Sequence, residues 1–352
     1  MDKNRVKKIK VFLVNAFTKN NGGGNPAGVV LNADGLTYDE KLAIAKAVGY
    51  SETAFVSKIV NSKSSSGATR RSAVENANTD VDMDAEVSFF TVTDEVDFCG
   101  HATLAAFSTL FHQGVFQPGS YVQKTKAGLL GVSIMSNGHV EMKQKAPEFI
   151  GELTCEAISD VICIAPQVLA QTELPIEIVC TGLPDIIVPV PMGYLDKIQL
   201  DSTKTIEFCK AHNAVGIHAF ELCESDNTIT ASCRNFAPLL GITEESATGS
   251  ASGALACYLA KHYIGHSAVS RTGNSTGQRN THSQHSALGK KGTDSAITFN
   301  FEFEQGRAMN CPSAITATVV TATNNGLSSS SHGWTVSVGG YASQFGEKTV
   351  AL

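Results

Sequence analysis

A short pattern that occurs twice constrains this chain more than any other feature of its sequence. Residues 99–106 read CGHATLAA and residues 248–256 read TGSASGALA, so in both places a glycine turn opens directly into a helix of small, apolar residues. The first N–H groups of a helix lack intrahelical partners and carry partial positive charge, which makes each copy a candidate carboxylate or phosphate site. The copies lie about one domain length apart. We therefore expect two equivalent lobes that each contribute one helix start to a cleft for a small anionic substrate; the alternative is two glycine-initiated buried helices without such a role.

Length and composition fit a globular protein of two lobes and argue against two classes of partner, nucleic acids and membranes. The chain has 352 residues, more than the roughly 250 to 300 at which single cores stop growing. Its formal net charge is −6 and no stripe of Lys and Arg occurs, so we expect no nucleic acid partner. The nine cysteines are scattered without a Cys-x-x-Cys pair, which favours a reduced, cytoplasmic compartment. No segment approaches the roughly 20 apolar residues of a membrane span, so we expect no membrane partner.

The order of apolar segments predicts the fold class and the domain division. Many short strand-like segments surround one long apolar helix in each half, which is typical of an α/β (α+β) protein. We expect an N-terminal lobe over 1–146 and a C-terminal lobe over 147–352, and the final strand could pack on the N-terminal lobe. Two polar stretches, 61–86 and 270–294, have too little apolar surface to fold alone and are interpreted as insertions.

Local signals place several of the elements. Thr37 and Glu40 have the spacing of a capping box, and Gly49 stands where a helix usually ends, so a helix is predicted between them. The predicted strands lie within 7–17, 28–31, 51–60, 87–92, 176–191, 216–223, 296–303, 314–321 and 334–338. The glycine run at 22–27 formally fits a dinucleotide fingerprint, but a strand rather than a helix follows it, so we interpret it as a loop.

A carboxylate at the start of an apolar strand is the first candidate for chemistry. Glu52 begins a stretch whose following residues, 53–56, are mostly apolar, and partial desolvation there would suit it to general acid–base work. The alternative is an exposed glutamate at a strand end. Neither His-Glu-x-x-His nor a Cys/His cluster at zinc spacing occurs in the sequence, so we expect no metal.

Five blocks of residues occur in an order found in a known family. They are Gly24-Asn25-Pro26-Ala27, Ser51-Glu52-Thr53, Phe98-Cys99-Gly100-His101-Ala102-Thr103, Arg234-Asn235-Phe236-Ala237-Pro238 and Glu245-Ser246-Ala247-Thr248-Gly249-Ser250, with Glu304-Gln305-Gly306 and Val338-Gly339-Gly340 extending the match. This order resembles the PhzF family of phenazine-biosynthesis-like isomerases, over essentially the whole chain outside the two polar stretches. The resemblance implies the diaminopimelate-epimerase fold: two pseudo-symmetric lobes, each a barrel-like sheet around a central helix, with the active site in the cleft between them.

The resemblance also implies roles for individual residues. Glu52 would be the proton-transferring acid and base, while His101 and Ser250 would line the substrate cleft. Gly100 and Gly249 would present backbone N–H groups to the substrate carboxylate.

Other positions in the matched blocks either extend the site or depart from the family pattern. Asn25, Ser51 and Thr248 would contact the substrate. Glu245 stands where the family usually has an aspartate, and it joins the candidate catalytic residues. Further departures stand at Ser246, in place of a proline, and at Ser88 and Cys311, in place of two arginines.

The activity implied by the resemblance is a cofactor-independent isomerisation or epimerisation of a small carboxylate-bearing metabolite by a homodimer. Glu52 would remove a proton beside an unsaturated or carboxylate-bearing centre and return it elsewhere. In one alternative Cys99 is the working base of an epimerase or dehydratase of amino or imino acids. Related enzymes of this fold use a thiol there, although their second thiol position corresponds to Thr248. In another alternative the chain is a catalytically idle homologue that acts as a binding or scaffold protein.

Overall fold

The computed structural model describes residues 7–60, 83–224, 227–269, 296–321 and 333–352. Its helices are α1 (Tyr38–Val48), α2 (Gly100–His112), α3 (Cys155–Ile162), α4 (Pro166–Leu169), α5 (Ser202–Ala211) and α6 (Gly249–Val269). Its strands are β1 (Lys8–Ala16), β2 (Asn25–Val30), β3 (Glu52–Ser57), β4 (Ala85–Phe90), β5 (Glu95–Val96), β6 (Gly119–Thr125), β7 (Gly128–Ile134), β8 (Val140–Gln144), β9 (Glu148–Leu153), β10 (Ile176–Cys180), β11 (Pro184–Pro189), β12 (Gly216–Leu222), β13 (Ala231–Ala237), β14 (Ile242–Glu245), β15 (Ile297–Gln305), β16 (Ser313–Thr321), β17 (Thr335–Gly340) and β18 (Ala342–Ala351).

Residue contacts divide the chain into two compact units. Unit 1 comprises Met1–Ala16, Pro26–Met142 and Tyr341–Leu352, and unit 2 comprises Phe17–Asn25 and Lys143–Gly340. The sequence-based boundary at 146/147 differs from this division by a few residues, and it assigned Phe17–Asn25 to the other half. Chain order alone does not show that Phe17 is fully buried and borders Gly249 and Gly340, both of unit 2.

The strands of unit 1 form a mixed sheet in which chain neighbours mostly pair. β1 runs antiparallel to β18 and also pairs with β2, and β2 runs parallel to β3. β3 and β4 are antiparallel, β4 and β6 are parallel, and β6, β7 and β8 form an antiparallel meander. Helix α2 packs against β1, β3, β7 and β18. Every residue from His101 to Leu110 is buried, as expected of a helix that is apolar or small on all sides.

Unit 2 has an analogous core and an additional helical layer. Helix α6 packs against β10, β11, β15, β16 and β17, and its residues 251–260 are all buried. On the face of β10, β11 and β12 opposite to α6, alternate residues form an apolar cluster with α3, α4 and α5. The prediction of an α/β (α+β) protein with one long buried helix among the strands of each half is therefore confirmed.

The local helix prediction is also confirmed. The Thr37 Oγ1 accepts from the Glu40 N–H at 3.2 Å, and the Glu40 carboxylate accepts from the Thr37 N–H at 2.8 Å. Gly49 ends α1 in the left-handed conformation, with φ at 84°. A strand follows the 22–27 glycine run, as expected, because β2 begins at Asn25.

Other element predictions need correction. β3 ends at Ser57 rather than at residue 60, and β4 already begins at Ala85, so the polar insertion is shorter than 61–86. Its residues 61–82 lie outside the described part of the chain, as does the stretch 270–294. The apolar segment 176–191 is two strands, because bends at 181–183 separate β10 from β11.

Two helices of unit 2 have N-caps that could have been recognised in the sequence. Thr154 caps α3 by accepting from the Ala157 N–H at 3.2 Å. Asp201 caps α5 by accepting from two N–H groups at 2.9 and 3.1 Å. Within the described ranges no helix is both long enough and apolar enough to cross a membrane.

Candidate active site

The first group of predicted residues comes together in unit 1, where β3 begins beside the start of α2. Cys99 is the N-cap of α2, His101 is its second residue, and Glu52 is the first residue of β3. The Glu52 Oε2 lies 3.3 Å from the His101 Nε2, and the Cys99 Sγ lies 3.4 Å from the His101 Nδ1. The Ser51 Oγ is 3.5 Å from the same Nε2. We call Ser51, Glu52, Cys99 and His101 the glutamate–histidine cluster.

The cluster combines burial with groups that can exchange a proton. The His101 side chain is 5% exposed and the Glu52 side chain 14%. The Glu52 Oε2 is buried without a hydrogen-bond partner although it is 3.3 Å from the imidazole nitrogen, so one carboxylate oxygen keeps its lone pairs available. A carboxylate beside an imidazole in such surroundings is suited to general acid–base chemistry.

Gly100 begins α2 directly after Cys99, and packing does not require a glycine there. A Cβ atom at this position would meet only the Met142 methyl group, at 4.0 Å. The absence of a side chain therefore leaves space next to the first N–H groups of α2, which lack intrahelical acceptors. Gly249 begins α6 in unit 2, where a Cβ atom would lie 3.4 Å from the Phe17 ring.

The second group of predicted residues comes together in unit 2 around the Glu245 carboxylate. Its Oε1 accepts from the Asn25 Nδ2 at 2.9 Å, and its Oε2 accepts from the Thr248 Oγ1 at 2.5 Å. Gln305 completes the group, since its Nε2 donates to the Glu245 carbonyl at 2.7 Å and to the Thr248 Oγ1 at 3.1 Å. We call Asn25, Glu245, Thr248 and Gln305 the carboxylate–hydroxyl network.

Residues next to this network hold the glycine loop at 22–24. The Ser246 Oγ and the Cys311 Sγ both donate to the Gly24 carbonyl at 3.0 Å. The side chains at 246 and 311 are thus both engaged in hydrogen bonds to this loop. Gly306 has φ at 85°, and a Cβ there would lie 2.3 Å from the Cys311 carbonyl oxygen, so only glycine fits this turn.

The two glycine turns share the same hydrogen bonds, each within its own unit. The Thr103 Oγ1 donates to the Cys99 carbonyl at 2.8 Å, and the Ser252 Oγ donates to the Thr248 carbonyl, also at 2.8 Å. In both turns, the residue four positions after the residue that precedes the glycine donates its side-chain hydroxyl to that residue's carbonyl. Ser250 is partly exposed at the second position of α6, and its carbonyl accepts from the Thr181 Oγ1 at 3.2 Å.

Sequence reasoning missed a row of buried polar residues in unit 2. The strand register places Asp185, His218, Asn235 and Glu245 on one face of neighbouring strands β11 to β14. The His218 Nδ1 donates to the Asn235 Oδ1 at 3.1 Å, and the Asp185 Oδ2 and the His218 Nε2 are buried without hydrogen-bond partners. Only the alternation of polar residues in otherwise apolar strands could have signalled this row.

Burial perturbs both titratable groups of this row. Desolvation, and secondarily the Glu245 carboxylate, raises the pKa of Asp185 to about 8. Desolvation lowers the pKa of His218 to about 4, against the effect of its hydrogen bond to Asn235. Asp185 is therefore mainly a neutral acid and His218 a neutral imidazole at pH 7.

Two cationic residues lie in partly buried surroundings. Lys41 donates to the Ser88 Oγ at 2.9 Å, and desolvation lowers the pKa of this lysine. Arg234, from the fourth sequence block, makes a bidentate pair with Glu244 at 2.9 and 2.8 Å. Arg234 also donates to two main-chain carbonyls, those of Leu195 and Ile198, so its role within unit 2 is structural.

Ligands for a metal were not expected from sequence spacing, yet one set of donor atoms lies close together. The ligand atoms of Glu52, Cys99 and His101 all lie within 4.8 Å of one another. Glu52 precedes the other two by more than 40 residues, so no short spacing pattern could have shown this set.

Comparison with known proteins assigns the family. The sequence profile of the PhzC-PhzF family, described as phenazine biosynthesis-like protein, matches residues 14–307. An uncharacterized isomerase of Clostridium acetobutylicum is 33% identical over 266 residues, which are 74% of this chain and 82% of that protein. The chain belongs to the PhzC-PhzF family.

Solved structures agree with this assignment. The crystal structure of the Bacillus anthracis phenazine biosynthesis protein of the PhzF family matches with a TM-score of 0.72 and 26% identity, over 98% of this chain and all of that one. A hydroxyproline epimerase of Agrobacterium vitis matches with a TM-score of 0.55 and 11% identity, covering 99% of this chain and 93% of its own. The second likeness concerns the fold alone.

Proposed function

We propose that the protein is a PhzF-like isomerase that moves a proton on a small carboxylate-bearing metabolite, without an organic cofactor, and that Glu52 is the acid and base. Several relatives of the chain are named uncharacterized isomerases, which supports the reaction class. The observation that carries the assignment of Glu52 is its buried Oε2, which has no hydrogen-bond partner and lies 3.3 Å from the His101 imidazole.

In this proposal the neighbouring groups of unit 1 assist the transfer. The imidazole of His101 stabilises Glu52 in either protonation state, because it can donate to the carboxylate or accept from the carboxylic acid. The open N–H groups after Gly100 bind the substrate carboxylate and stabilise the enolate-like charge that develops on proton removal.

The carboxylate–hydroxyl network has a binding role in the proposal. Both Glu245 oxygens already accept hydrogen bonds, from Asn25 and Thr248, so this carboxylate is engaged in holding those two side chains. We assign to Glu245 the orientation of Thr248 and Asn25, and to the Gly249 and Ser250 N–H groups the binding of a substrate oxygen.

A second candidate places the proton transfer on Cys99. The contact of 3.4 Å between its Sγ and the His101 Nδ1 favours this reading, because an imidazole can take the thiol proton and leave a nucleophilic and basic thiolate. The reaction class would then be an epimerisation or dehydration of amino or imino acids.

Deuterium exchange distinguishes the two bases. The full chain is incubated in heavy water with a panel of small amino acids and unsaturated carboxylic acids, and loss of C–H signal is followed by NMR. Glu52→Gln is expected to slow exchange by roughly 10²- to 10⁴-fold, the usual contribution of a positioned acid–base group. Glu95→Gln, which changes a carboxylate on β5 of the same unit, is the matched control and is expected to retain wild-type exchange.

The Cys99→Ala variant completes the test. Exchange that is lost in Glu52→Gln and still measurable in Cys99→Ala assigns the base to Glu52. Exchange that is lost only in Cys99→Ala assigns it to the thiol and contradicts our proposal. Absence of exchange by the wild-type protein across the panel would favour the idle-homologue alternative.

A homodimer in the cytoplasm is part of the same proposal and is supported by the family resemblance. Light scattering of the purified full chain at several concentrations measures the mass directly. A mass of twice 37.1 kDa is expected, and a monomer at all concentrations contradicts it.

A further inference from the structure

The glutamate–histidine cluster contains three different metal-binding side chains in one place. The Glu52 Oε2 is 3.3 Å from the His101 Nε2, and the Cys99 Sγ is 4.0 Å from the same nitrogen. All three donor atoms lie within 4.8 Å of one another. Thiolate, imidazole and carboxylate are the three ligand types that Zn²⁺ accepts in proteins.

These separations are close to those of a tetrahedral zinc site. With Zn–S of about 2.3 Å and Zn–N and Zn–O of about 2.0 Å, tetrahedral angles require about 3.5 Å between S and N and about 3.3 Å between N and O. The nitrogen–oxygen separation already has this value, and the sulfur–nitrogen separation exceeds it by about half an ångström. The Cys99 Sγ lies nearer to the His101 Nδ1, at 3.4 Å, than to the Nε2 that faces Glu52, so the thiol and the imidazole must both turn before the three donors face one ion.

Rigid elements hold the donors. Cys99 and His101 lie in the first turn of α2, and the Cys99 carbonyl is bound by the Thr103 hydroxyl at 2.8 Å. Glu52 lies on β3, where its Cα is paired with Ala27 of the parallel neighbour β2. Because the backbone is fixed at both positions, little conformational entropy would be lost on binding an ion.

The charge and the softness of the three donor atoms determine which kind of ion they would bind. A thiolate and a carboxylate together neutralise a divalent cation, which matters because Cys99 and His101 are buried and the Glu52 side chain is only 14% exposed. The thiolate favours Zn²⁺ and related cations over Mg²⁺ and Ca²⁺, which prefer oxygen ligands. Three protein ligands leave a fourth position open for water or another oxygen.

We propose that Glu52, Cys99 and His101 bind one zinc-class divalent cation, and that its occupancy inhibits proton transfer. The coordinated Glu52 carboxylate would have its lone pair engaged, and the His101 imidazole could no longer share a proton with it. The binding site stands on the donor geometry, whereas the inhibition rests on the proposed function of Glu52.

Calorimetric titration of the chelator-treated full chain with ZnCl₂ tests the binding. One equivalent per chain with a Kd in the micromolar range or below is expected, and Cys99→Ala is expected to weaken it at least tenfold. Cys155→Ala, which removes a partly exposed thiol at the first position of α3, is the matched control and should bind as the wild type does. Thermal unfolding of each variant checks that it is folded.

Cobalt substitution provides a readout that does not depend on activity. Co²⁺ at this site should produce a thiolate-to-metal charge-transfer band that is absent in Cys99→Ala and in Cys99→Ser, the more conservative variant. Stoichiometric binding that is unchanged in both variants, or no binding at micromolar free zinc, overturns the proposal.

Exchange measurements separate this proposal from the preceding one. Stoichiometric zinc should reduce deuterium exchange at least tenfold, and excess chelator should restore it. Exchange by the chelated protein together with absent zinc binding removes the metal site and leaves the isomerase proposal intact. If the protein binds zinc but catalyses no deuterium exchange, the metal site stands and the proposed inhibition is overturned.

Discussion

The replacement Asp185→Asn is expected to stabilise unit 2 at neutral pH. Asp185 is 2% exposed, its Oδ2 has no hydrogen-bond partner, and burial raises its pKa from 3.8 to about 8. In the unfolded chain the carboxyl ionises near its ordinary pKa, so between these two values the folded state holds the extra proton. The contribution of Asp185 to folding stability therefore falls as pH rises from about 4 to about 8.

The magnitude follows from the shift in pKa. Each unit is worth about 1.4 kcal/mol, so at pH 7 retention of the proton on Asp185 costs about 4 kcal/mol of unfolding free energy relative to a group that does not ionise. Asparagine has nearly the shape of the protonated acid and does not titrate. The difference in unfolding free energy between Asp185→Asn and the wild type should therefore grow by about 1.4 kcal/mol per pH unit between pH 5 and pH 7.

The chain contains a single tryptophan, Trp334, which lies in unit 2 and packs edge-on against Phe149. Its fluorescence during urea unfolding at pH 5, 6 and 7 therefore reports on the unit that contains Asp185. Asp160→Asn, at an exposed position of α3, controls for loss of a negative charge and should leave the pH dependence unchanged. A difference for Asp185→Asn that stays constant from pH 5 to pH 7 would refute the reasoning.

Three further changes probe burial, capping and backbone strain. His218→Asn should remove one contribution that weakens folding on acidification. The folded-state pKa of His218 is lowered to about 4, so this residue's own contribution to stability falls as pH drops from about 6.5, by about 2.5 kcal/mol at pH 4.5. The difference in urea midpoint between the variant and the wild type, followed from pH 7 to pH 4.5, tests this, and a constant difference would contradict it. Thr37→Ala removes the capping box of α1 and should cost about 1 kcal/mol, measured by urea unfolding followed by circular dichroism, with an unchanged midpoint as the contrary result. Gly306→Ala forces a side chain into a φ of 85° and to within 2.3 Å of a carbonyl oxygen, so a fall in Tm of several degrees is expected, and an unchanged Tm would show that the loop adapts.

Features set by neighbouring residues in the chain could be predicted from the sequence. The capping box at Thr37 and the glycine at 49 depend on contacts within one helix, and both helix starts at 99–101 and 248–250 depend on the same local backbone preference. The long helices α2 and α6 follow from runs of small apolar residues. These predictions agree with the structure because the interactions concerned span only a few residues.

Features that depend on distant residues required the structure. Phe17–Asn25 belongs to unit 2 because of where the Phe17 ring packs, and nothing within the segment indicates this. The donor atoms of Glu52, Cys99 and His101 are brought together by strand pairing and by the position of α2, and neither is evident from the sequence. The partners of Glu245 are similarly remote in the chain, since Asn25 and Gln305 contribute to it from opposite ends.

The two helix starts have the same pattern of hydrogen bonds to their first carbonyl but carry different reactive groups. This difference bears on the kind of isomerisation proposed. The first start has a carboxylate oxygen without a hydrogen-bond partner, an imidazole and a thiol, which can all take or give a proton. The second has hydroxyl groups at Thr248 and Ser250, and the carboxylate nearest to them accepts hydrogen bonds on both oxygens. Hydroxyl groups are poor bases at neutral pH, so the helix start of unit 2 offers no base that matches those at the helix start of unit 1, and a two-base racemisation requires two matched bases. We therefore expect one base to remove and return the proton, and in a single turnover part of the substrate's original hydrogen should appear in the product even in heavy water. Complete replacement by deuterium in every product molecule would instead indicate a second, solvent-equilibrated base.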